Sequence, residues 1–319
     1  MIQKSFTIQE NIPLADKNWF KTGGSARYFC EPETPEEFAS ALAFAQKNKL
    51  SLHLLGLGAN LLVSDAGCDG LVIRPHNKTI TITQQSAEEA TVTAGAGVVI
   101  DDLITFCLDH KLCGLEELSG IPGTVGGSVF INIHYFQFFL SDFLVAARVI
   151  NTKTGELIPV TKEWFNFGYD YSTLHKREHL LFDATFKLRP VSEIDAAYAK
   201  GRNVEIIRHR RQRYPYQGTC GSFFRNFHED EVTITSNGRK MIFIAYYLDK
   251  LGIKGELAVG GAIVSHQHAN MIVNRGTATS QDIVTLGRTM QELVLKNFGI
   301  LPQPECQLLG FETYPFLQK

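Results

Sequence analysis

Four stretches of the 319-residue chain hold residues whose types and spacing suit chemistry. The first is "LLGLGANLLV", residues 54–63, with glycines at 56 and 58 after a strand-like run. Glycine lets successive backbone N–H groups curl around an anion. A dinucleotide fingerprint needs a third glycine at 61 and a helix beyond it. Position 61 is Leu and a strand pattern comes next, so the Rossmann reading fails. A phosphate turn and an ordinary tight turn both stay open. The second is "GIPGTVGG", residues 120–127, four glycines in eight residues stiffened by Pro122. That density suits backbone packed against a ligand, or an irregular loop. It runs on into "SVFINIHYFQFF", where His, Tyr and Phe crowd the chain. The third is "CGSFFRN", residues 220–226. Ser222 can serve as a proton donor only where a site stabilises or quickly reprotonates the alkoxide. The hydrolase elbow G-x-S-x-G is absent. Glu305, in "PQPECQLLGF", opens a largely apolar strand, either as a carboxylic acid raised by its surroundings or as an exposed edge residue.

Other candidates read as ordinary structure. "HKREH" (175–179) has the H-x-x-E-H pattern but runs straight into a strand, so a solvated turn fits better than a metal helix. "HQH" (266–268) has no third ligand at a useful spacing. No metal site is expected. "RHRRQR" (208–213) offers a diphosphate surface or a solvated helix face. The six cysteines show no CxxC, which suits reduced thiols, several of them buried. Lys and Arg number 31 against 33 Asp and Glu, so no global field points to nucleic acid or an anionic membrane. The N-terminus lacks a signal-peptide core, and no apolar run is long enough to span a bilayer. A cytoplasmic protein is expected.

These residues need elements to position them. "TPEEFASALAFAQKNK" reads as a helix, with Thr34 and Glu37 as a capping box and Pro35 in the first turn. Strands come next at "SLHLL" and "LLVSD". "TITIT" (79–83) and "TVTAGAG" alternate as strands, and "DDLITFCLDH" (101–110) reads as a helix with Asp101 as its cap. Strands "VAARVI" and "LLFDATFKL" flank the turn "NTKTGE". A basic helix spans about 192–213. Beyond it come a helix at "MIFIAYYLDKL" stopped by Gly252, a strand at "NMIVN", a helix over 280–298 ended by Gly299, and a strand near "ECQLLGF". Breaks near 75 and 205 give three regions: 1–75, 76–205 and 206–319.

Taken in order, "WFKTGGSARYF", "LGLGANLLVSDAGCDGLVI", "GLEELSGIPGTVGGSVFIN", "FGYDYS", "CGSFFRN", "LGIKGELAVGGAIVSHQHANMIVN" and "PECQLLG" resemble the UDP-N-acetylenolpyruvoylglucosamine reductases of bacterial cell-wall synthesis, also called UDP-N-acetylmuramate dehydrogenases. They recur from residue 19 to residue 310, and the short path from "TFKL" to "RRQRYP" is similar to the branch without the substrate-domain insertion. The resemblance implies an α+β protein. An FAD-binding fold of two subdomains, of PP-loop type and not Rossmann, occupies 1–75 and 76–205. An α/β substrate-binding domain occupies 206–319. It implies FAD and NADPH, and a UDP-sugar, UDP-N-acetylglucosamine enolpyruvate, reduced to UDP-N-acetylmuramate. Ser222 and Glu305 take the catalytic positions. Gly56, Gly58, Ala59, Asn60, Leu61, Gly123, Thr124, Gly126, Gly127 and Asn132 take the flavin-contacting ones, and Tyr169, Arg211, Asn226 and Lys254 the substrate-binding ones. The expected state is a monomer.

Two departures from the family pattern stand out. After Tyr169 the pattern has Arg; here it is Asp170, which reverses the charge that would hold a substrate carboxylate. After Asn132 the pattern has small residues; here His134 and Gln137 replace glycines and Tyr135 an alanine. Added side chains there either clash or force the loop away. They motivate two other readings: a paralogue that binds flavin or nucleotide-sugar without the reductase step, and a flavin enzyme acting on a different substrate.

Overall fold

The computed structural model describes residues 6–236 and 238–318. It falls into two compact units: Met1–Glu10, Tyr28–Leu57 and Gly70–Arg210 form the first, and Asn11–Arg27, Gly58–Asp69 and Arg211–Lys319 the second.

The first unit begins its helical structure with α1 (Pro35–Lys47). Thr34 Oγ1 accepts the Glu37 N–H at 3.3 Å and the Glu37 carboxylate reaches back to the Thr34 N–H, as the sequence motif predicts. Phe38, Ala41, Leu42 and Ala45 of α1 are buried with Leu71, Ile73, Ile150 and Leu180. Ser51–Leu54, the strand after α1, pairs in parallel with Cys68–Ile73. The larger sheet is antiparallel, in the order Leu157–Thr161, Leu144–Asn151, His179–Pro190, Ala90–Gly95, Ile80–Gln85. Helices α2 (Ile100–Asp109) and α3 (Val125–Ile131) share its core, where Val92, Ala184 and Phe186 are sealed with Leu103, Ile104 and Val129. Truncating one such Leu or Phe to Ala costs about 2–5 kcal/mol.

Two local expectations are corrected. Asp101 does not cap α2; Val99 holds that position, and the Asp101 carboxylate accepts the Gly120 N–H at 2.8 Å. The glycine-rich run is not all loop, because α3 starts inside it. The basic helix, α4 (Glu193–Arg213), forms where expected. It lies along 116–120: Arg202 pairs with Glu117 at 2.9 Å, Asn203 donates to Ser119 Oγ at 2.7 Å, and Arg210 Nε donates to Gly120 O at 3.2 Å.

The second unit packs α5 (Ile244–Lys250) and α6 (Ser280–Phe298) with the antiparallel strands Ala258–Val259, Ala262–Val264 and Ile272–Asn274. Thr279 and Asp282 form a capping box on α6, and Gly299 ends it at φ +70°. The Asp65 carboxylate takes the N–H groups of Ser280 and Gln281 at 2.9 and 3.0 Å. Leu61–Val63 runs parallel to Gln307–Leu309, so two stretches from opposite ends of the sequence share one small sheet. All six cysteines are buried, free thiols. Among the described residues no helix is long and apolar enough to cross a membrane.

Candidate functional site

In the first unit the glycine run is held by backbone hydrogen bonds. Ile100 N–H donates to Gly123 O, Val125 N–H to Val98 O and Gly126 N–H to Ala96 O, at 3.0, 2.8 and 2.9 Å. These contacts make a helix of a segment whose glycines disfavour one. Thr124 is the N-cap and accepts the Gly127 N–H at 3.3 Å. A Cβ at Gly56 would lie 2.7 Å from Thr124 Oγ1. The turn at 54–57 and the loop at 120–127 therefore close on each other, and a side chain at 56 would displace the Thr124 hydroxyl. Ser128 Oγ, one turn into α3, is buried without a hydrogen-bond partner. Asn132 ends α3 in the left-handed region, φ +50°. Its carboxamide is used internally: Nδ2 donates to Gly168 O at 3.0 Å and Oδ1 accepts the Ser141 N–H at 3.1 Å.

The second unit carries Gly58, Ala59, Asn60 and Leu61. Gly58 has φ +65°, and a Cβ there would lie 2.6 Å from Asn18 Cα. Trp19 N–H donates to Gly58 O at 3.1 Å and Gln307 N–H to Asn60 O at 3.0 Å. Leu61 is buried. Asn60 Oδ1, Asn18 Oδ1 and Thr22 Oγ1 are buried with no hydrogen-bond partner. Buried polar atoms are nearly always satisfied, so such orphans beside glycine turns fit the polar edge of a bound FAD. Asn18, Thr22 and Ser128 escaped the motif reading. Ser128 was the most accessible of them, as a hydroxyl one turn past the N-cap of a glycine-rich segment.

The second unit also runs the backbone of 223–225, just after Ser222, alongside 303–305. Glu305 N–H donates to Phe223 O at 2.9 Å and Arg225 N–H to Gln303 O at 3.0 Å, flanking an isolated bridge between Phe224 and Pro304. Asn270 fixes the serine segment from behind: its O accepts the Phe223 N–H, its Oδ1 the Phe224 N–H, and its Nδ2 donates to Phe224 O. Burial, then the neighbouring Cys306 thiol and the Glu305 carboxylate, hold the Cys220 thiol well above its usual range. Asn226 Oδ1 accepts the Ile244 N–H at the start of α5. Arg225 is committed to Glu231 through two hydrogen bonds of 2.8 and 3.0 Å. Exposed Lys254 lies 3.6 Å from Asp249, and the Arg211 guanidinium sits over the Tyr216 ring at 5.1 Å. Of the expected substrate residues, Arg211, Asn226 and Lys254 share this unit with Ser222 and Glu305, whereas Tyr169 belongs to the first.

The crowded stretch after Asn132 takes regular structure. His134–Tyr135 pairs with Phe138–Phe139 as a tight β-hairpin, its tip at exposed Phe136 with φ +53°. His134 packs between the rings of Phe139 and Tyr169, with centroids 5.0 and 4.6 Å away. The Arg210 guanidinium covers Tyr135 at 5.1 Å. Asp170 adopts φ +52°, a region aspartate tolerates. "HKREH" is a turn, but His175 is half-buried, stacked on Phe130 at 3.9 Å, and burial lowers its pKa. Among the described residues no group of three His, Cys, Asp or Glu side chains could hold a metal ion.

Residues 26–161 match a family model described as an FAD binding domain, and residues 212–309 match the C-terminal domain of UDP-N-acetylenolpyruvoylglucosamine reductase. A protein of that name from Synechococcus sp. is 33% identical over 98% of this chain and 96% of its own length. One from Exiguobacterium sibiricum is 34% identical over 95% of this chain and 93% of its own. The crystal structure of UDP-N-acetylenolpyruvylglucosamine reductase from Thermus caldophilus superposes with a TM-score of 0.77 at 27% identity, covering 96% of this chain and all of that one.

Proposed function

The chain belongs to the UDP-N-acetylenolpyruvoylglucosamine reductase family, and from that premise we propose that it reduces UDP-N-acetylglucosamine enolpyruvate to UDP-N-acetylmuramate with electrons from NADPH. The reading is supported by the backbone ladder that joins 223–225 to 303–305, the segments in which the family resemblance puts Ser222 and Glu305. When bound, FAD would supply the hydride-carrying chemistry. The residues that would hold it, on this reading, are Gly56, Gly58, Ala59, Asn60, Leu61, Gly123, Thr124, Gly126, Gly127 and Ser128. Asn132 acts by ending α3 and tying its end to Gly168 and Ser141. Ser222 delivers a proton to the carbon next to the one that receives hydride, and Glu305 assists at the enol carboxylate. Arg211, Asn226, Lys254 and Tyr169 bind the nucleotide-sugar. The reading includes a monomer acting in the cytoplasm. Purified protein should be yellow and should oxidise NADPH when the substrate is added. Ser222→Ala should keep its flavin and lose about 10²–10⁴-fold in turnover. A colourless protein that FAD cannot reconstitute sinks the proposal.

A second reading is favoured by one observation: a carboxylate, Asp170, stands where the family pattern has a guanidinium, with His134 packed against it. On that reading the chain binds FAD and nucleotide-sugar without reducing the latter. Negligible turnover by a fully flavinated protein that still binds the substrate would select it, whereas robust turnover lost in Ser222→Ala excludes it.

A further inference from the structure

Segments 130–139 and 168–175 of the first unit are zipped together at three levels. Ser172 Oγ donates to Phe130 O at 2.7 Å, Asn132 Nδ2 donates to Gly168 O at 3.0 Å, and His134 Nδ1 lies 3.7 Å from Asp170 Oδ1. The first two links do not titrate. The third does, and it is shielded: both side chains are only 19% exposed, and the imidazole lies between Phe139 and Tyr169. We propose that His134 and Asp170 form a proton-linked clasp that positions Asn132 and the end of α3, so that binding of FAD at the glycine loop is coupled to proton uptake by His134. The inference rests on the reading of 120–132 as a flavin loop.

Burial lowers the pKa of His134, and a backbone hydrogen bond with Asn132 opposes that. The clasp is therefore weakest at alkaline pH, where the imidazole is neutral and only ring packing joins it to the 168–171 turn. Protonation places a cation beside the Asp170 carboxylate, in a setting with little water to screen the pair. Other ionisable groups around the hairpin make contacts of their own, and the Asp142 carboxylate just past it accepts the Phe139 N–H at 3.2 Å. Hairpin strand His134–Tyr135 packs on the turn Glu116–Leu118, where Glu117 pairs with Arg202 and the Glu116 carboxylate accepts the Gly114 N–H. Arg210 covers Tyr135 and bonds Gly120 O, and Tyr169 flanks the imidazole. A cofactor that needs the clasped hairpin raises the proton affinity of His134, and by reciprocity the proton raises the affinity for the cofactor by the same factor.

The test titrates the full chain with FAD, monitored by flavin fluorescence, from pH 6 to pH 8. The wild type should bind FAD about five- to tenfold more tightly at pH 6, the signature of one linked proton. His134→Gln and Asp170→Asn should each bind with less than a twofold change across the range. The His134 imidazole resonance should also titrate about one pH unit lower in Asp170→Asn than in the wild type, a readout that needs no substrate and no turnover. A wild-type affinity that is flat with pH, or an imidazole unmoved by Asp170→Asn, overturns the clasp and leaves the flavin reading intact. Absence of FAD binding at every pH overturns both.

Discussion

Asn270 makes three hydrogen bonds to Phe223 and Phe224, two of them through its side chain, and is only 3% exposed. Asn270→Ala leaves the Phe224 N–H and C=O buried and unpaired. The expected loss is about 2–4 kcal/mol, at about 1–3 kcal/mol per orphaned group with partial relaxation. Urea unfolding checks it, and a midpoint equal to wild type removes Asn270 from its role behind Ser222. Glu305→Gln tests a different thing. The backbone of residue 305 carries the hydrogen bond to Phe223, so the isosteric amide should keep the ladder and the stability to within about 0.5 kcal/mol. Turnover should nonetheless fall about a hundredfold, because an amide cannot exchange the proton a carboxyl can. Steady-state rates at matched flavin content decide this, and full activity in Glu305→Gln removes the carboxyl from the chemistry.

At the scale of the element, α3 offers a separation of stability from ligand approach. Gly127 is exposed in its first turn, and a Cβ there would meet only Thr124 Oγ1, at an ordinary 3.7 Å. Gly127→Ala should stabilise the apoprotein by about 0.5–1 kcal/mol through helix propensity alone. If FAD backbone contact needs that glycine, the same change should weaken FAD binding at least fivefold, read by fluorescence titration. Tighter binding together with higher stability places the cofactor elsewhere. This helix also shows what the sequence could not disclose. Helix α1 announced itself through Thr34, Pro35 and Glu37, all local signals. Helix α3 was hidden because it opens on two glycines at the end of a glycine-rich run, and its start is tied by tertiary hydrogen bonds to Val98 and Ala96. The same holds for Asp101, a plausible local cap drawn away by Gly120. The ladder between 223–225 and 303–305 joins segments far apart in the sequence, and no periodicity betrays it. The hairpin at 134–139 was legible as bulk but not as shape, since its register depends on His134 packing against Phe139 and Tyr169.

For the whole molecule, the buried titratable groups of both units set opposite limits on pH. Burial lowers the pKa of His53, His134 and His175 in the first unit and His268 in the second. Below about pH 6.5 the unfolded chain binds protons that the folded chain refuses, so stability present above that pH is lost as pH falls, by at most about 1.4 kcal/mol per group per pH unit. The thiols act at the other end. Burial pushes Cys30 and Cys107 to about 12 and Cys68 to about 11. Unfolded thiols ionise near pH 9 while the folded ones do not, so stability present below that pH is lost as it rises. The urea midpoint of the apoprotein should peak between about pH 7 and pH 8.5 and fall on both sides. The clasp adds a sign that packing alone cannot produce. A ligand stabilises by RT ln(1 + [L]/Kd), so an FAD affinity that grows toward pH 6 makes the FAD increment grow just where the apoprotein weakens. At fixed excess FAD, a five- to tenfold drop in Kd adds about 1–1.4 kcal/mol to the increment. Paired urea titrations at pH 8 and pH 6, with and without FAD, measure it directly. An increment of equal size at the two pH values, in a protein whose apo midpoint falls as described, would leave the histidines to stability and take the proton out of cofactor binding.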